Sequence, residues 1–184
     1  PEAVMVYTDQ GLNHLSQTFH RLYQKRLARG YWRDRERPIL INNWEATCFD
    51  FTEEKLLEIA RTAKETGVEL FVLDDGWFGE RSNEHAGLGD WFANTKRLPQ
   101  GITGLSKKIG EIGMKFGLWF EPEMVNKDSD LYRQHPDWII AAPERRQSHG
   151  RFQYVLDFSR TEVVDYIYSM METLLSDADI SYIK

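Results

Sequence analysis

Hydrophobic and polar residues follow two patterns along this chain. Short segments made mostly of apolar residues, without regular alternation, occupy residues 39–44, 69–73 and 115–120, and a fourth begins at residue 181. Segments of this kind are typical of strands buried on both faces, which is the usual state of parallel strands covered by helices. Pro38 opens the first run, where the missing N–H of proline disturbs a sheet least. The pattern predicts four strands, the last at residues 181–184.

Longer segments with apolar residues three and four positions apart lie between these runs. They predict helices over residues 12–27, between Thr52 and Gly67, before Gly113, and after Ser159, because this spacing places apolar side chains on one helical face. Thr52 precedes two glutamates and Ser159 stands three positions before another. Both hydroxyls are therefore predicted to cap the start of a helix.

The regular order is interrupted twice. Residues 76–101 form a loop too long for a simple connector, which favours the wall of a cleft. After the third strand, residues 130–134 predict a helical turn ended by Pro136. Residues 138–141 and 152–156 are predicted to pair as a hairpin across a polar loop.

Strands and helices in alternation predict an α/β fold with right-handed crossovers and a parallel sheet. The chain has 184 residues, which is enough for one domain with a core but short of the roughly 250 residues of a complete (β/α)8 barrel. Residues 1–37 are predicted to form a helix and connector that lead into residues 38–184, the α/β part.

Composition narrows the possible functions. A net charge of −6 without blocks of like charge argues against a nucleic-acid partner, and no apolar run is long enough to span a membrane. The single cysteine, Cys48, forms no internal disulfide. It fits a reducing compartment, so a cytoplasmic location is expected, although a chain that begins at Pro1 leaves a removed signal peptide open.

Polar and aromatic side chains follow the predicted strands where each strand ends. Trp44, the pair Asp74 and Asp75, Trp119 and Lys184 each stand at or near the carboxyl end of a different strand. In a barrel these ends share one mouth, which is where binding groups cluster. Carboxylates, an ammonium group and flat indole faces suit a polyhydroxylated ligand such as a sugar. The alternative is that each tryptophan fills the core and each aspartate caps a turn.

Four carboxylates are candidates for acid and base chemistry. Glu121 and Glu123 share the parity of Trp119, so all three point the same way if the strand continues past the intervening proline. They are a candidate pair for glycoside hydrolysis, which needs two carboxylates. Asp74 and Asp75 are adjacent and would point to opposite faces of a strand, so we interpret them as ligand-holding groups.

Other candidate chemistry is sparse. Arg151 follows a polar loop. Its guanidinium group is either a donor to a hydroxyl or carboxylate of a ligand or simply a solvated charge. The five histidines show no metal-ligand spacing and no HExxH motif is present. Neither glycine-rich phosphate motif occurs. No metal and no cofactor are therefore expected.

Several motifs together resemble one family, the glycoside hydrolase family 36 α-galactosidases. Their order and spacing match over essentially the whole chain, at residues 41–46 (INNWEA), 73–79 (LDDGWFG), 117–124 (GLWFEPEM), 135–138 (HPDW) and 182–184 (YIK). The resemblance implies a retaining enzyme that releases terminal α-1,6-linked galactose from melibiose, raffinose and related oligosaccharides. It also implies that this chain covers about the first four strands of a (β/α)8 TIM-type barrel, an incomplete barrel.

The resemblance also assigns roles to residues. The galactose-binding set it implies comprises Trp44, Asp74, Asp75, Trp119, Arg151 and Lys184, with the two aspartates on the hydroxyls at positions 4 and 6. In the family the strand continues after the lysine as Trp-Asp, and that aspartate is the nucleophile. The nucleophile is thus expected two residues after Lys184, with the acid/base aspartate further on. Glu121 and Glu123 match neither role, so no catalytic residue is expected within the chain, and this fragment alone is expected to be inactive.

The family also implies a longer enzyme with flanking β-domains that is often a homotetramer. The sequence is also compatible with other proteins. Related enzymes of similar fold include a raffinose-type transglycosylase and an α-N-acetylgalactosaminidase. A different class of protein, a galactoside-binding module without catalytic carboxylates, would carry the same sugar-binding residues.

Overall fold

The structure is a computed structural model that describes residues 3–184, and its contacts divide the chain into two compact units. The first unit ends at Pro38 and contains α1 (Gly11–Leu22), a π-helical turn (Tyr23–Leu27) and a short 3-10 turn (Gly30–Trp32). The helix predicted over residues 12–27 is confirmed in α1. Its last turn widens, because the N–H of Ala28 bonds to the carbonyl of Tyr23 at 2.8 Å.

The second unit, Ile39–Lys184, contains the predicted α/β part. In chain order its elements are β1 (Leu40–Asn42), α2 (Trp44–Thr47), α3 (Glu53–Glu65), β2 (Leu70–Leu73), α4 (Gly101–Glu111), β3 (Lys115–Leu118), β4 (Met124–Asn126), α5 (Asp130–Gln134), a 3-10 turn (Pro136–Trp138), β5 (Gln153–Val155), α6 (Thr161–Asp177) and β6 (Tyr182–Ile183).

Four of these strands form a parallel sheet in the order β1-β2-β3-β6. Leu40 pairs with Leu70, Phe71 with Phe116, and Leu118 with Ile183. Every residue of β2 is buried, as expected for an apolar run without alternation. The predicted α/β fold with a parallel sheet is therefore confirmed, and the carboxyl ends of four strands lie along one edge.

Helices α3 and α4 form as the apolar spacing predicts. The hydroxyl of Thr52 accepts a hydrogen bond from the N–H of Lys55 at 3.3 Å and so caps α3. Leu56 and Ala60 on α3, and Leu105 on α4, are fully buried against the sheet. These helices cover the sheet and leave its carboxyl edge to loops.

Two local predictions differ from the structure. Residues 138–141 and 152–156 pair only through an antiparallel bridge between Ile139 and Leu156, with the N–H of Ile140 donating to the carbonyl of Val155 at 2.8 Å, and the ladder of β5 is formed with β4 instead. Ser159 does not cap α6, because the residue before that helix is Arg160 and the Ser159 hydroxyl donates to Asp157 at 2.6 Å. In each case another partner takes the predicted place: β4 pairs with β5, and Asp157 accepts the hydrogen bond of the Ser159 hydroxyl.

The strands are shorter than predicted at their carboxyl ends. Trp44 opens the short helix α2, and β3 stops at Leu118, before Trp119. The parity argument for Glu121 and Glu123 therefore does not apply, because the chain has left the strand there. Trp44 and Trp119 therefore lie just past the strands, the first on a short helix and the second on irregular backbone.

Among residues 3–184, no helix is both long enough and apolar enough to cross a membrane.

Candidate functional site

Asp74 lies at the centre of the predicted site, directly after β2. Its Oδ2 accepts hydrogen bonds from Nδ2 of Asn42 and from Nζ of Lys184, both at 2.5 Å. Its Oδ1 accepts the backbone N–H of Asp75 at 2.8 Å. The Asp74 side chain is 7% exposed and that of Lys184 is 47% exposed, so the lysine is the accessible member of the pair. One carboxylate thus joins residues at the ends of β1, β2 and β6.

Two asparagines at the end of β1 hold the adjoining backbone. Oδ1 of Asn42 accepts the N–H of Trp44 at 2.8 Å, so the same side chain contacts both Trp44 and Asp74. Asn43 is fully buried, and its Oδ1 accepts the N–H of Asp74 at 2.8 Å. The Trp44 indole is half-buried and meets Phe49 edge to face, with 5.0 Å between ring centroids. The start of α2 is therefore tied to the end of β2.

Asp75 faces a different partner. Nε and Nη2 of Arg81 donate to Oδ1 and Oδ2 of Asp75 at 2.9 and 2.8 Å. The arginine side chain is 0% exposed and the aspartate 7%. Two parallel bonds of this kind fix the plane of a carboxylate as well as its position. Adjacent carboxylates thus have separate cations, Lys184 for Asp74 and Arg81 for Asp75.

Trp119 brings an indole to the same edge of the sheet. Its N–H donates to the carbonyl of Leu73 at 2.9 Å, and its own carbonyl accepts Nε1 of Trp77 at 3.0 Å. The ring is half-buried and lies nearly parallel to Phe78, with 6.2 Å between centroids and 20° between planes. The backbone of Trp119 is therefore fixed one residue past β3, beside the residue that precedes Asp74.

Arg151 is placed differently. It lies in the turn before β5 with a left-handed backbone (φ 52°), and its side chain is 64% exposed. Nη2 stands 3.6 Å from Oε1 of Glu84, an ion pair between two exposed groups. Within residues 3–184, no hydrogen bond or ion pair joins Arg151 to the other five predicted residues. Its positive charge acts on the Glu121 carboxyl group, where it opposes the rise in pKa that burial causes.

Glu121 is half-buried beside this edge. Nε2 of the buried Gln153 donates to its Oε2 at 3.1 Å. Burial raises the pKa of Glu121 above its ordinary value, and the charge of Glu123 adds to the rise, while Arg151 and Arg81 oppose it. A raised pKa alone assigns no role, since structural carboxylates are perturbed in the same way.

The structure thus brings five of the six predicted residues to one edge of the sheet and leaves Arg151 on the ribbon. Sequence reasoning missed the polar side chains that hold these five in place, namely Asn42, Asn43, Arg81 and Asn126. Asn42 and Asn43 directly follow the apolar residues of the first strand, and polar residues at that position are a signal for a site. Arg81 lies in a long loop and shows no spacing that would reveal its partner. Among residues 3–184, no group of three His, Cys, Asp or Glu side chains is arranged to hold a metal ion.

Comparison with known proteins agrees with the motifs. The family model described as Melibiase matches residues 1–184. The α-galactosidase AgaA of Geobacillus stearothermophilus is 61% identical over 184 residues, which are 100% of this chain and 25% of that protein. The α-galactosidase Mel36A of Lactobacillus acidophilus is 50% identical over the same shares, 100% and 25%.

The fold is also shared with solved structures. A variant of the GH36 α-galactosidase AgaA from Geobacillus stearothermophilus, solved in complex with raffinose, superposes with a TM-score of 0.92 at 60% identity, covering 97% of this chain and 25% of that one. The resemblance to family 36 α-galactosidases is therefore confirmed. This chain spans about a quarter of the length of the relatives it matches.

Proposed function

The chain belongs to the Melibiase family, and we propose that it forms the galactose-binding part of a retaining α-galactosidase. The substrates we propose are α-galactoside oligosaccharides such as melibiose and raffinose. A solved relative binds raffinose, which supports this class of substrate.

One observation carries the proposal. The carboxylate of Asp74 and the ammonium group of Lys184 meet at 2.5 Å on the shared edge of the sheet, with Asn42 on the same oxygen. A carboxylate accepts from a hydroxyl and an ammonium group donates to one, so the pair binds neighbouring hydroxyls of one ring. Hydrogen bonds to charged groups contribute about 1.5–3 kcal/mol each.

The remaining residues complete this binding set. We assign the indoles of Trp44 and Trp119 to the C–H face of the sugar, because half-buried flat rings offer apolar area at little conformational cost. Asp75 is assigned to a second hydroxyl through the lone pairs that Arg81 leaves available. Arg151 belongs to the set only if the ribbon that carries it approaches the ligand.

The covalent chemistry is assigned to residues outside this chain. A retaining glycosidase needs a nucleophile and an acid/base carboxylate about 5–5.5 Å apart. Asp74 accepts hydrogen bonds from Asn42 and Lys184, and each oxygen of Asp75 accepts one from Arg81, so both carboxylates are held as binding groups. We propose that the nucleophile follows Lys184 by two residues and that this chain binds and orients galactose.

The four parallel strands are proposed to be the first four of a (β/α)8 barrel, with residues 1–37 as the approach to it. Apolar residues on both outer strands support this, since Leu40 in β1, Ile39 just before it, and Tyr182 and Ile183 in β6 are 40–62% exposed. A groove of about 370 Å³ beside β1 and α3, lined partly by Ile41 and Ile59, is a further apolar surface. Such edges are normally paired or covered. A homotetramer and a cytoplasmic location stay predictions.

Hydrolysis of 4-nitrophenyl α-D-galactoside by the full-length protein tests the proposal. Asp74→Ala is expected to lower kcat/KM by at least about tenfold, the loss of one charge-assisted hydrogen bond. Full activity in that variant would remove Asp74 from the site. Binding of galactose without release of nitrophenol by the full-length wild type would favour the binding-module alternative.

A further inference from the structure

We propose that Arg81 is a positioning residue for sugar recognition, one that fixes the Asp75 carboxylate so that its remaining lone pairs meet a single galactose hydroxyl. The inference rests on the proposed function, because it assigns a role within the same sugar site. It concerns a residue that no motif of the sequence singles out.

The guanidinium group of Arg81 contacts Asp75 through two separate nitrogens. Nε reaches Oδ1 at 2.9 Å and Nη2 reaches Oδ2 at 2.8 Å, and Arg81 is 0% exposed. An ionised carboxylate has about four lone-pair sites, and among residues 3–184 the two Arg81 bonds are the ones that the Asp75 carboxylate accepts, which leaves one site on each oxygen for a ligand. The fork therefore fixes the direction of the available sites without blocking them.

Arg81 is itself held from several sides. Its Nη1 donates to the carbonyl of Ala86 at 3.1 Å and to Oδ1 of Asn126 at 2.9 Å. Its guanidinium carbon lies 5.5 Å from the centre of the Phe49 ring. Gly87 packs on its backbone so closely that a Cβ at residue 87 would lie 2.7 Å from the Arg81 nitrogen. The donor therefore has little freedom to rotate.

Asn126 extends the same network into the ribbon. It is fully buried on β4, and its Oδ1 also accepts the N–H of Leu88 at 3.0 Å. Its Nδ2 donates to the carbonyls of Glu84 and Phe152 at 3.1 and 2.9 Å. The position of Asp75 thus depends on the β4–β5 ribbon as well as on β2, which distinguishes it from Asp74.

A lysine cannot reproduce this arrangement, because its ammonium group is a point charge on a flexible stem and lacks the planar fork. In Arg81→Lys the charge stays while the orientation of the Asp75 carboxylate is lost. The result is a specific loss at the hydroxyl that Asp75 binds. The hydroxyl bound by Asp74 and Lys184 keeps its partner.

The test measures binding of galactose, 4-deoxygalactose and 6-deoxygalactose to the full-length protein by calorimetry. The wild type is expected to bind galactose at least about tenfold more tightly than either deoxy sugar, because each lacks one charge-assisted bond. In Arg81→Lys one of these two preferences is expected to shrink to about twofold or less and the other to persist. General structural damage would not separate the two hydroxyls.

Arg97→Lys is the matched control. Arg97 is an arginine of the same loop whose side chain, within residues 3–184, donates to the carbonyl oxygens of Gly76 and Arg81 at 2.6 and 3.1 Å and to no carboxylate. It is expected to keep both preferences. Retention of both in Arg81→Lys, or an equal loss of both, would overturn the inference, as would a selective loss in the control.

A structure of the wild-type protein with galactose needs no variant and decides the case if Arg81→Lys fails to fold. Asp75 is expected to keep both bonds to Arg81 while accepting one from a sugar hydroxyl. An Asp75 that leaves Arg81 on binding, or that does not touch the sugar, would overturn the inference. Failure of the wild type to bind galactose at all would instead reject the proposed function.

Discussion

Lys184 donates a hydrogen bond to Oδ2 of Asp74 at 2.5 Å, although 110 positions separate the two residues. The contact exists because β6 lies beside β3, which lies beside β2, in parallel register. The sheet therefore brings an ammonium group from one end of the second unit to a carboxylate in its first third. The proposed galactose site depends on this arrangement.

Replacing Lys184 by methionine removes the donor and leaves the side-chain length nearly unchanged. We expect galactose affinity to fall by about tenfold or more, because a charge-assisted bond worth about 1.5–3 kcal/mol is lost. Calorimetry on the full-length protein measures this. Lys107→Met, at an exposed position of α4, is the control for loss of one positive charge. Equal affinity in both variants would show that Lys184 does not touch the sugar.

Trp119 is expected to act through its flat face. Trp119→Ala should weaken galactose binding, whereas Trp119→Phe should retain most of it, since the smaller ring still covers the sugar's C–H groups. Trp91→Phe is the comparison, because Trp91 is 1% exposed and lies 6.0 Å from the Trp119 ring. That variant should lower the melting temperature without changing affinity. An affinity unaffected by Trp119→Ala would exclude a stacking role.

Two glycines give opposite predictions for stability. A Cβ at Gly117 in β3 would lie 3.0 Å from Val72 Cγ2 and 3.1 Å from Tyr182 Cδ1. Gly117→Ala should therefore destabilise the protein by about 1–3 kcal/mol through overpacking. A Cβ at Gly110 in α4 meets no heavy atom within 4 Å, so Gly110→Ala should stabilise by about 0.5–1 kcal/mol.

Thermal unfolding of both alanine variants checks the pair. Because Tyr182 belongs to β6, the crowding at Gly117 should also displace Lys184 and weaken galactose binding. A Gly117→Ala variant as stable as wild type would contradict the close packing of β3 against β6.

Glu121 predicts a pH dependence. Burial raises the pKa of its carboxyl group in the folded protein, and the charge of Glu123 adds to it. The folded protein therefore binds this proton more tightly than the unfolded chain, and its contribution to stability falls as pH rises through the interval between the two pKa values. Glu121→Gln removes this loss while its amide oxygen still accepts from Gln153.

The variant should therefore be more stable than wild type at about pH 7, and the difference should shrink at about pH 4, where the wild-type carboxyl is increasingly protonated. Calorimetry at the two pH values measures it, with exposed Glu111→Gln as the control. A difference that is independent of pH would contradict the burial of Glu121.

Much of the fold followed from the sequence, because its signals are local. The uninterrupted apolar run in β2 predicted a strand buried on both faces, and Thr52 predicted the start of α3. The β4–β5 ribbon was missed because Met124–Asn126 is three residues long and carries no period. Its pairing with β5 is decided by tertiary contacts.

The site divides in the same way. Residues at strand ends, such as Asp74 and Lys184, were predictable because parallel strands bring their carboxyl ends to one edge. Arg81 and Asn126 were not, since a buried ion pair within a loop and an amide on a short strand leave no periodic mark. Arg151 was assigned by resemblance, and nothing in its exposed, ribbon-borne position identifies its ligand.

A crystal structure of the full-length protein with bound galactose tests the proposed site most directly. We predict that Oδ2 or Oδ1 of Asp74 and Nζ of Lys184 both lie within hydrogen-bond distance, about 2.7–3.2 Å, of hydroxyls on one sugar ring, with the Trp119 indole against its C–H face. A galactose bound elsewhere, with Asp74 and Lys184 paired only to each other, would contradict it.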